Sequence, residues 1–307
     1  MGMDRLIEKI TAYGNPTVAG LDPKLSYIPQ YIRDAFFQEF EDPAEAAAEC
    51  LIAFNTALID ALCDIVPAVK PQAAYYEMYG WQGVRALSET IKYAKGKGML
   101  VITDGKRNDI GATMEAYAAA HLGVTKTDAG SFSAFDADML TVNGYLGTDG
   151  IAPLLKVCKE RDRGIFVLVK TSNPSSGELQ DQKIGARTVY EVMGGMCEDW
   201  GADSIGKYGY SAVGAVVGAT YPAQLAALRK ALPHTFFLVP GYGAQGGGAK
   251  GLAGAFDKDG IGAVVNSSRA IMCAYQKEGC DERDFAGAAR REALRMREDI
   301  LSAVSAK

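Results

Sequence analysis

Eight short runs of apolar, largely β-branched residues recur along the chain with helix-forming stretches between them. They are Thr17 to Leu21, Ala68 to Lys70, Met99 to Thr103, Met139 to Val142, Ile165 to Val169, Ala212 to Val217, Phe236 to Val239 and Ile261 to Val265. Runs without polar alternation read as strands covered on both faces, and strands separated by helices pair in parallel through βαβ crossovers. Seven crossovers and a C-terminal helix close most simply as an α/β fold, a single (β/α)8 TIM barrel over residues 1–307, with a doubly wound open sheet as the alternative. A barrel takes about 250 residues as one domain, so 307 residues do not demand two.

Two crossovers are longer than the geometry needs. Residues 23–67 hold a helical run, Pro43 to Ile65, behind an aromatic loop (Tyr27, Tyr31, Phe36, Phe37, Phe40). Residues 172–211 open with Asn173-Pro174-Ser175-Ser176-Gly177 before a helix at Ala186 to Trp200, and a polar Pro/Gly loop after a strand is a candidate lid. At the N-terminus, Met3, Leu6, Ile7 and Ile10 lie at helical spacing with Asp4 and Glu8 among them, which predicts a helix and not a signal peptide.

Composition removes several kinds of chemistry. With 32 Lys+Arg against 37 Asp+Glu, a net charge of −5 and no basic run, nucleic acid is not an expected partner. No apolar run reaches the ~18 residues of a membrane span, so a cytoplasmic protein with no membrane partner is expected. The six cysteines (50, 63, 158, 197, 273 and 280) form no CxxC pair and read as reduced, mostly buried thiols. Of the two histidines, His121 closes an Ala-rich helical stretch and His234 follows Pro233 in a loop, so triads and His-rich metal sites are not expected. Carboxylates, lysines and backbone must carry any chemistry.

Those groups collect where the strands end. The first strand runs into Gly20-Leu21-Asp22-Pro23, the second into Val69-Lys70-Pro71-Gln72, and the third into Thr103-Asp104-Gly105-Lys106-Arg107-Asn108-Asp109-Ile110. In a barrel the C-terminal strand ends form the active-site face, so Asp22, Lys70, Asp104 and Lys106 would converge on one pocket. Strand alternation would point Asp104 and Lys106 the same way if the strand persists that far, with Asp109 beyond it before the next helix. The plainer reading is a buried ion-pair cluster. Alternating lysines and aspartates hold each other charged, which makes a fixed electric field.

The seventh strand leads into Pro240-Gly241-Tyr242-Gly243-Ala244-Gln245-Gly246-Gly247-Gly248 and the eighth into Asn266-Ser267-Ser268-Arg269. Both look like phosphate grips, since glycines let backbone N–H groups converge on an anion and Arg269 can give a bidentate contact. Gly241, Gly243 and Gly246 also spell GxGxxG, but a dinucleotide fold would place that motif in its opening βαβ unit.

Asp104-x-Lys106-x-x-Asp109-Ile110-Gly111 resembles the signature of the orotidine 5′-phosphate decarboxylase family. Gly20-Leu21-Asp22, Val69-Lys70-Pro71-Gln72, Gly218-Ala219-Thr220-Tyr221-Pro222, Pro240-Gly241-x-Gly243-x-Gln245-Gly246 and Ser268-Arg269 are similar, in order, to its other strand-end motifs, across residues 17–272. Length and the Lys-Pro-Gln wording look most like the longer bacterial subfamily. The resemblance implies a homodimeric barrel with active sites shared at the dimer interface. It would decarboxylate orotidine 5′-phosphate to UMP and carbon dioxide, with no cofactor and no metal, as the last step of de novo pyrimidine biosynthesis.

It also implies roles. Lys106 would stabilise and protonate C6 beside the carboxylate Asp104. Lys70 would tie Asp104 to the ribose hydroxyls, with Asp22 on the 3′-hydroxyl. Asp109 and Thr113 would reach the neighbouring subunit's site, and Ser172 would contact the pyrimidine. Gln245 and Arg269, with Gly246 and Ser268 beside them, would hold the 5′-phosphate. The chain departs from the short-form pattern in its long first crossover, its Thr171-Ser172-Asn173-Pro174 wording and its Tyr75-Tyr76 pair. A magnesium-dependent sugar-phosphate decarboxylase or aldolase of the same suprafamily shares the signature, but would have a Glu metal ligand where Lys70 stands, and a cation opposes a cation there. A barrel that binds a phosphorylated ligand without catalysis is the remaining alternative.

Overall fold

A computed structural model of the chain describes residues 2–242 and 249–306. The eight runs form eight strands: β1 (Thr17–Leu21), β2 (Ala68–Pro71), β3 (Leu100–Arg107), β4 (Met139–Val142), β5 (Gly164–Lys170), β6 (Val213–Val217), β7 (Phe237–Pro240) and β8 (Ala263–Ser267). Each pairs in parallel with its sequence neighbours, and β1 closes on β8 through Thr17↔Val265 to Ala19↔Ser267. The expected (β/α)8 barrel is therefore the fold, and the open sheet is not.

Two strand bounds move for physical reasons. The last strand starts two residues later than the apolar run, because Gly260 and Gly262 take left-handed φ angles of 73° and 98° and turn the chain around Ile261. β3 continues four residues past Thr103 into the charged Asp-Gly-Lys-Arg stretch, with Ala73 N–H bonding to Asp104 O and Asn143 N–H to Arg107 O. Polarity hid this extension from the sequence pattern.

The long insertions begin where local signals say they should. The helix Pro43–Leu62 is capped by Asp42, whose side chain accepts from Ala44 N–H at 3.0 Å, with Pro43 at its first position. In the second insertion a capping box between Thr188 and Glu191 delays the helix to Val189–Gly201, and residues 183–188 form a small hairpin. Tyr76, from the atypical Tyr75-Tyr76 pair, is fully buried, with its hydroxyl between Asn55 and Leu21 O at the end of β1.

Strand side chains split by period two into an outer layer against the helices and an inner layer within the barrel. Val18, Ala68, Leu100, Ile102, Met139, Phe166, Val216, Phe236, Leu238 and Val264 form one cluster with Met3, Leu6, Ile7 and Ile10 of the helix Gly2–Tyr13. That helix stoppers the inner layer at the strands' N-terminal end. Arg5 pins it through Asp138 at 3.0 Å, and a side chain on Gly2 would collide with Arg163 and Gly164 backbone at 2.6–2.9 Å. Both histidines stand apart from the strand-end charges: His121 stacks on Phe135 with centroids 4.9 Å apart, and His234 Nδ1 lies 2.8 Å from Gly209 O. All six cysteines are free thiols, four of them buried, and among the described residues no helix is long and apolar enough to cross a membrane.

Leu6 is fully buried in this stopper, so Leu6→Ala is expected to cost about 2–5 kcal/mol. Denaturant unfolding reads this directly, and an unchanged midpoint would show that the N-terminal helix is not part of the core.

Candidate active site

β2, β3 and β4 end side by side, and their polar residues meet at one carboxylate. Asp104 is 7% exposed. Its Oδ2 accepts from Lys70 Nζ at 2.7 Å and Gln72 Nε2 at 2.9 Å, and its Oδ1 accepts from Lys106 Nζ at 2.7 Å and Thr141 Oγ1 at 2.8 Å. A carboxylate has about four lone-pair positions, so a cation could bind Asp104 only by displacing one of these donors.

The charges sustain one another. Burial alone would raise the Asp104 pKa, but the Lys70 and Lys106 ammonium groups outweigh it and hold the carboxyl well below the usual carboxylate range. Burial likewise pulls the Lys70 ammonium down, and Asp104 with Asp22 overcomes it and raises the pKa instead. Both groups are therefore ionised at neutral pH. The side chain of Lys106 is 45% exposed, against 5% for Lys70, so it is the open cation of the pair.

Simple alternation does not bring Asp104 and Lys106 together. β3 shifts register against β4 between Thr103 and Arg107, and Lys106 has a left-handed φ of 47°, unusual for a residue with a side chain. Thr141 steadies this turn: its hydroxyl accepts from Lys106 N–H at 3.0 Å while donating to Asp104. One threonine thus ties the backbone of the lysine to the carboxylate that its ammonium meets. Sequence reasoning passed over Thr141, and its signal was its position as the single polar residue in the β4 run.

Asp22, Lys70 and Asp104 line a cavity of about 780 Å³, which continues past Gly241 after β7 to Ser268 and Arg269 after β8. Three buried oxygens here have no partner among the described residues: Asp22 Oδ1, Asn266 Oδ1 and Ser267 Oγ. Such atoms cost free energy unless a ligand or water meets them. In the sequence Asn266 and Ser267 belong to the candidate phosphate grip before Arg269, and their burial is what distinguishes them.

The rim needs two glycines. A Cβ on Gly20 would lie 1.9 Å from Ser268 Oγ, so β1 approaches the turn after β8 as only glycine allows, and Gly241 has a φ of 100°. Arg269 is exposed at the start of the short helix Arg269–Met272 and has no carboxylate partner among the described residues. Ser172 is half-buried beside Gly218 and Gly241. Gln245 and Gly246 lie outside the described residues.

Asp109 and Thr113 do not join the array of their own chain. The Asp109 carboxylate accepts from the neighbouring Ile110 N–H at 2.8 Å, and Thr113 is exposed on the helix Gly111–His121. A Cβ on the buried Gly150 would lie 3.0 Å from Asp109 O and 3.6 Å from Leu146 Cβ, and Ile110, Tyr145 and Leu146 are exposed beside it.

Fold and site together define a class: a (β/α)8 barrel that carries fixed, paired charge at the C-terminal ends of its early strands and an open arginine beyond its last. Comparison with known sequences narrows the class. The sequence model of the orotidine 5′-phosphate decarboxylase / HUMPS family matches residues 49–279, and the chain belongs to that family. It is 45% identical over 291 residues to the orotidine 5′-phosphate decarboxylase of Rhodopirellula baltica, covering 94% of each chain. It is 41% identical over 309 residues to that of Clostridium tetani, covering the whole of both. Among solved structures, Leishmania donovani OMP decarboxylase superposes with a TM-score of 0.70 at 30% identity, over 97% of this chain and 98% of that one. The family expected from the strand-end motifs is thus the one found.

A carboxyl whose pKa is depressed on folding contributes stability that is fully present above its unfolded value, about 3.9, and lost as pH falls through the folded value. Asp104→Asn is therefore expected to remove more stability at pH 7 than at pH 3, measured as denaturation free energies. An equal loss at both would show that folding does not depress the Asp104 pKa.

Proposed function

We propose that this chain decarboxylates orotidine 5′-phosphate to UMP and carbon dioxide, the last step of de novo pyrimidine biosynthesis, without cofactor or metal. The observation that carries the reading is the buried Asp104 carboxylate clasped by two ammonium groups, one of which, Lys106, is open. Loss of carbon dioxide leaves an electron pair on C6 of the pyrimidine, a carbon that delocalises it poorly. A cation at C6 answers that need. Two charges ~4 Å apart at an effective dielectric of ~20 interact by about 4 kcal/mol, and the Lys106 ammonium then gives its proton to C6, leaving UMP and a neutral amine that regains a proton from solvent.

Asp104 stands beside the substrate carboxylate and aims Lys106. Lys70 links Asp104 to the ribose hydroxyls, and the unpartnered Asp22 oxygen suits the 3′-hydroxyl. Ser172 meets the pyrimidine ring. Arg269, Ser268, Gln245 and Gly246 take the phosphate, whose binding energy is expressed at the reacting carbon only in the transition state.

We further assign the chain one catalytic domain over residues 1–307, a cytoplasmic location and a homodimer with shared sites. The exposed apolar group Ile110, Tyr145 and Leu146 beside Asp109 supports the dimer, since such a patch favours a covering partner. Asp109 and Thr113 would then serve the second copy's site, completing the catalytic set of Lys70, Asp104, Lys106 and Asp109.

Purified protein in excess EDTA is expected to consume orotidine 5′-phosphate, followed by ultraviolet absorbance, with stoichiometric recovery of UMP. No conversion by folded protein, with or without magnesium, would refute the reading. Lys106→Ala should lower kcat by about 10³-fold or more while the protein still binds nucleotide, and near-normal turnover would remove Lys106 as proton donor. Mixing Asp109→Ala and Lys106→Ala subunits should restore part of the activity, because one of the two sites in each mixed dimer is intact. Confirmed heterodimers without recovery would exclude a shared site.

A further inference from the structure

One buried lysine has no part in the charge array. Lys170 ends β5 with its side chain 0% exposed, a costly place for an ammonium group without partners. Its Nζ meets Asp181 Oδ1 at 2.7 Å and Ser176 Oγ at 3.4 Å, and it lies 4.8 Å from the ring centre of Tyr221 and 5.5 Å from that of Tyr190. Asp181, by contrast, is 42% exposed. It follows the one-turn helix Gly177–Gln180, in the polar loop that leaves β5.

A second pair closes the same loop. Thr171 N–H donates to Gln180 Oε1 at 2.9 Å, and Gln180 Nε2 donates to Thr171 Oγ1 at 2.8 Å. The loop therefore returns to the residues from which it started, and Gly177 passes so near Asp181 that a Cβ there would lie 2.7 Å from its carboxylate. Ser172 sits just inside the ring. A Cβ on Gly218 would be 2.9 Å from Ser172 Cβ and one on Gly241 3.9 Å, while Gly218 N–H holds Lys170 O at 2.7 Å. The ends of β5, β6 and β7 thus meet at this serine.

We propose that Lys170 is a positioning residue. With Asp181 and the Thr171–Gln180 pair it clasps residues 171–181 into a closed loop that fixes Ser172 at the cavity rim beside Gly218 and Gly241, where the substrate's ring is received. The proposal rests on the decarboxylase reading for the identity of that ring. Free of the clasp, an eleven-residue polar loop would sample many conformations, and Ser172 would have to be ordered at each binding event. A misplacement of about 1 Å at such a contact costs as much as 10²-fold in rate.

A double-mutant cycle tests this. Asp181→Asn leaves a buried ammonium group without its counter-charge, so the companion variant Lys170→Met/Asp181→Asn, which removes both charges, guards against loss of folding. Each is expected to lower kcat/KM for orotidine 5′-phosphate by about 10- to 100-fold with circular dichroism unchanged in the double variant. In a Ser172→Ala background the same changes should cost less than about twofold, because the group they position is gone. A folded double variant with normal kcat/KM, or a clasp penalty undiminished by Ser172→Ala, would overturn the proposal. Should the unaltered protein not turn over this substrate, the decarboxylase reading fails separately, and limited proteolysis still reads the clasp. Cleavage within 171–181 should be about tenfold faster in the double variant, and an unchanged rate would overturn the clasp as well.

Discussion

A carboxylate in a protein interior costs several kcal/mol unless its environment restores what water supplied. Asp104 meets that demand with four donors from three adjacent strand ends, two of them ammonium groups. The result is a group that stays ionised and cannot turn, and much of the site follows from its immobility. Lys70 is charged because Asp104 and Asp22 face it, and Lys106 is aimed because Asp104 and Thr141 hold its side chain and its backbone. A field assembled in this way needs no reorganisation when charge develops on a ligand, which is the main source of electrostatic catalysis.

The remainder of the barrel keeps that field at one end. The helix Gly2–Tyr13 fills the opposite mouth with apolar side chains and joins the inner layer of the strands. At the working end, β2, β3 and the segments after β1, β7 and β8 border a cavity in whose wall three buried oxygens lack a partner among the described residues. The apolar stopper thus closes one end, and the oxygens left for a ligand line the cavity at the other. Such division is characteristic of barrels, where strand ends can carry unrelated chemistries on one scaffold.

Much of this was legible in the chain. Eight apolar runs located eight strands to within a few residues, because a strand covered on both faces must be apolar throughout. Asp104 and Lys106 were legible as a paired charge at a strand end because charged side chains directly after such runs have few reasons to be there. The continuation of β3 was not legible, since polar residues erase the pattern that marks a strand, and neither was Thr141, whose role depends on the register of β4 against β3. Lys170 lies just past the apolar run Ile165 to Val169, and its meaning lies in Asp181, which no local pattern connects to it.

The amino-acid sequence by itself determined where the eight strands lie, their parallel βαβ order and which charged groups follow the first three of them, since hydrophobic periodicity and turn chemistry are local properties. Which charges touch was decided only in three dimensions. Lys70 and Asp104 are 34 residues apart in the chain and Asp104 and Thr141 are 37 apart, and only the barrel's register sets them within hydrogen-bonding distance. The left-handed turn at Lys106 and the free oxygens of Asp22, Asn266 and Ser267 are likewise products of packing. Burial converts ordinary side chains into a fixed field, and burial belongs to the folded chain alone.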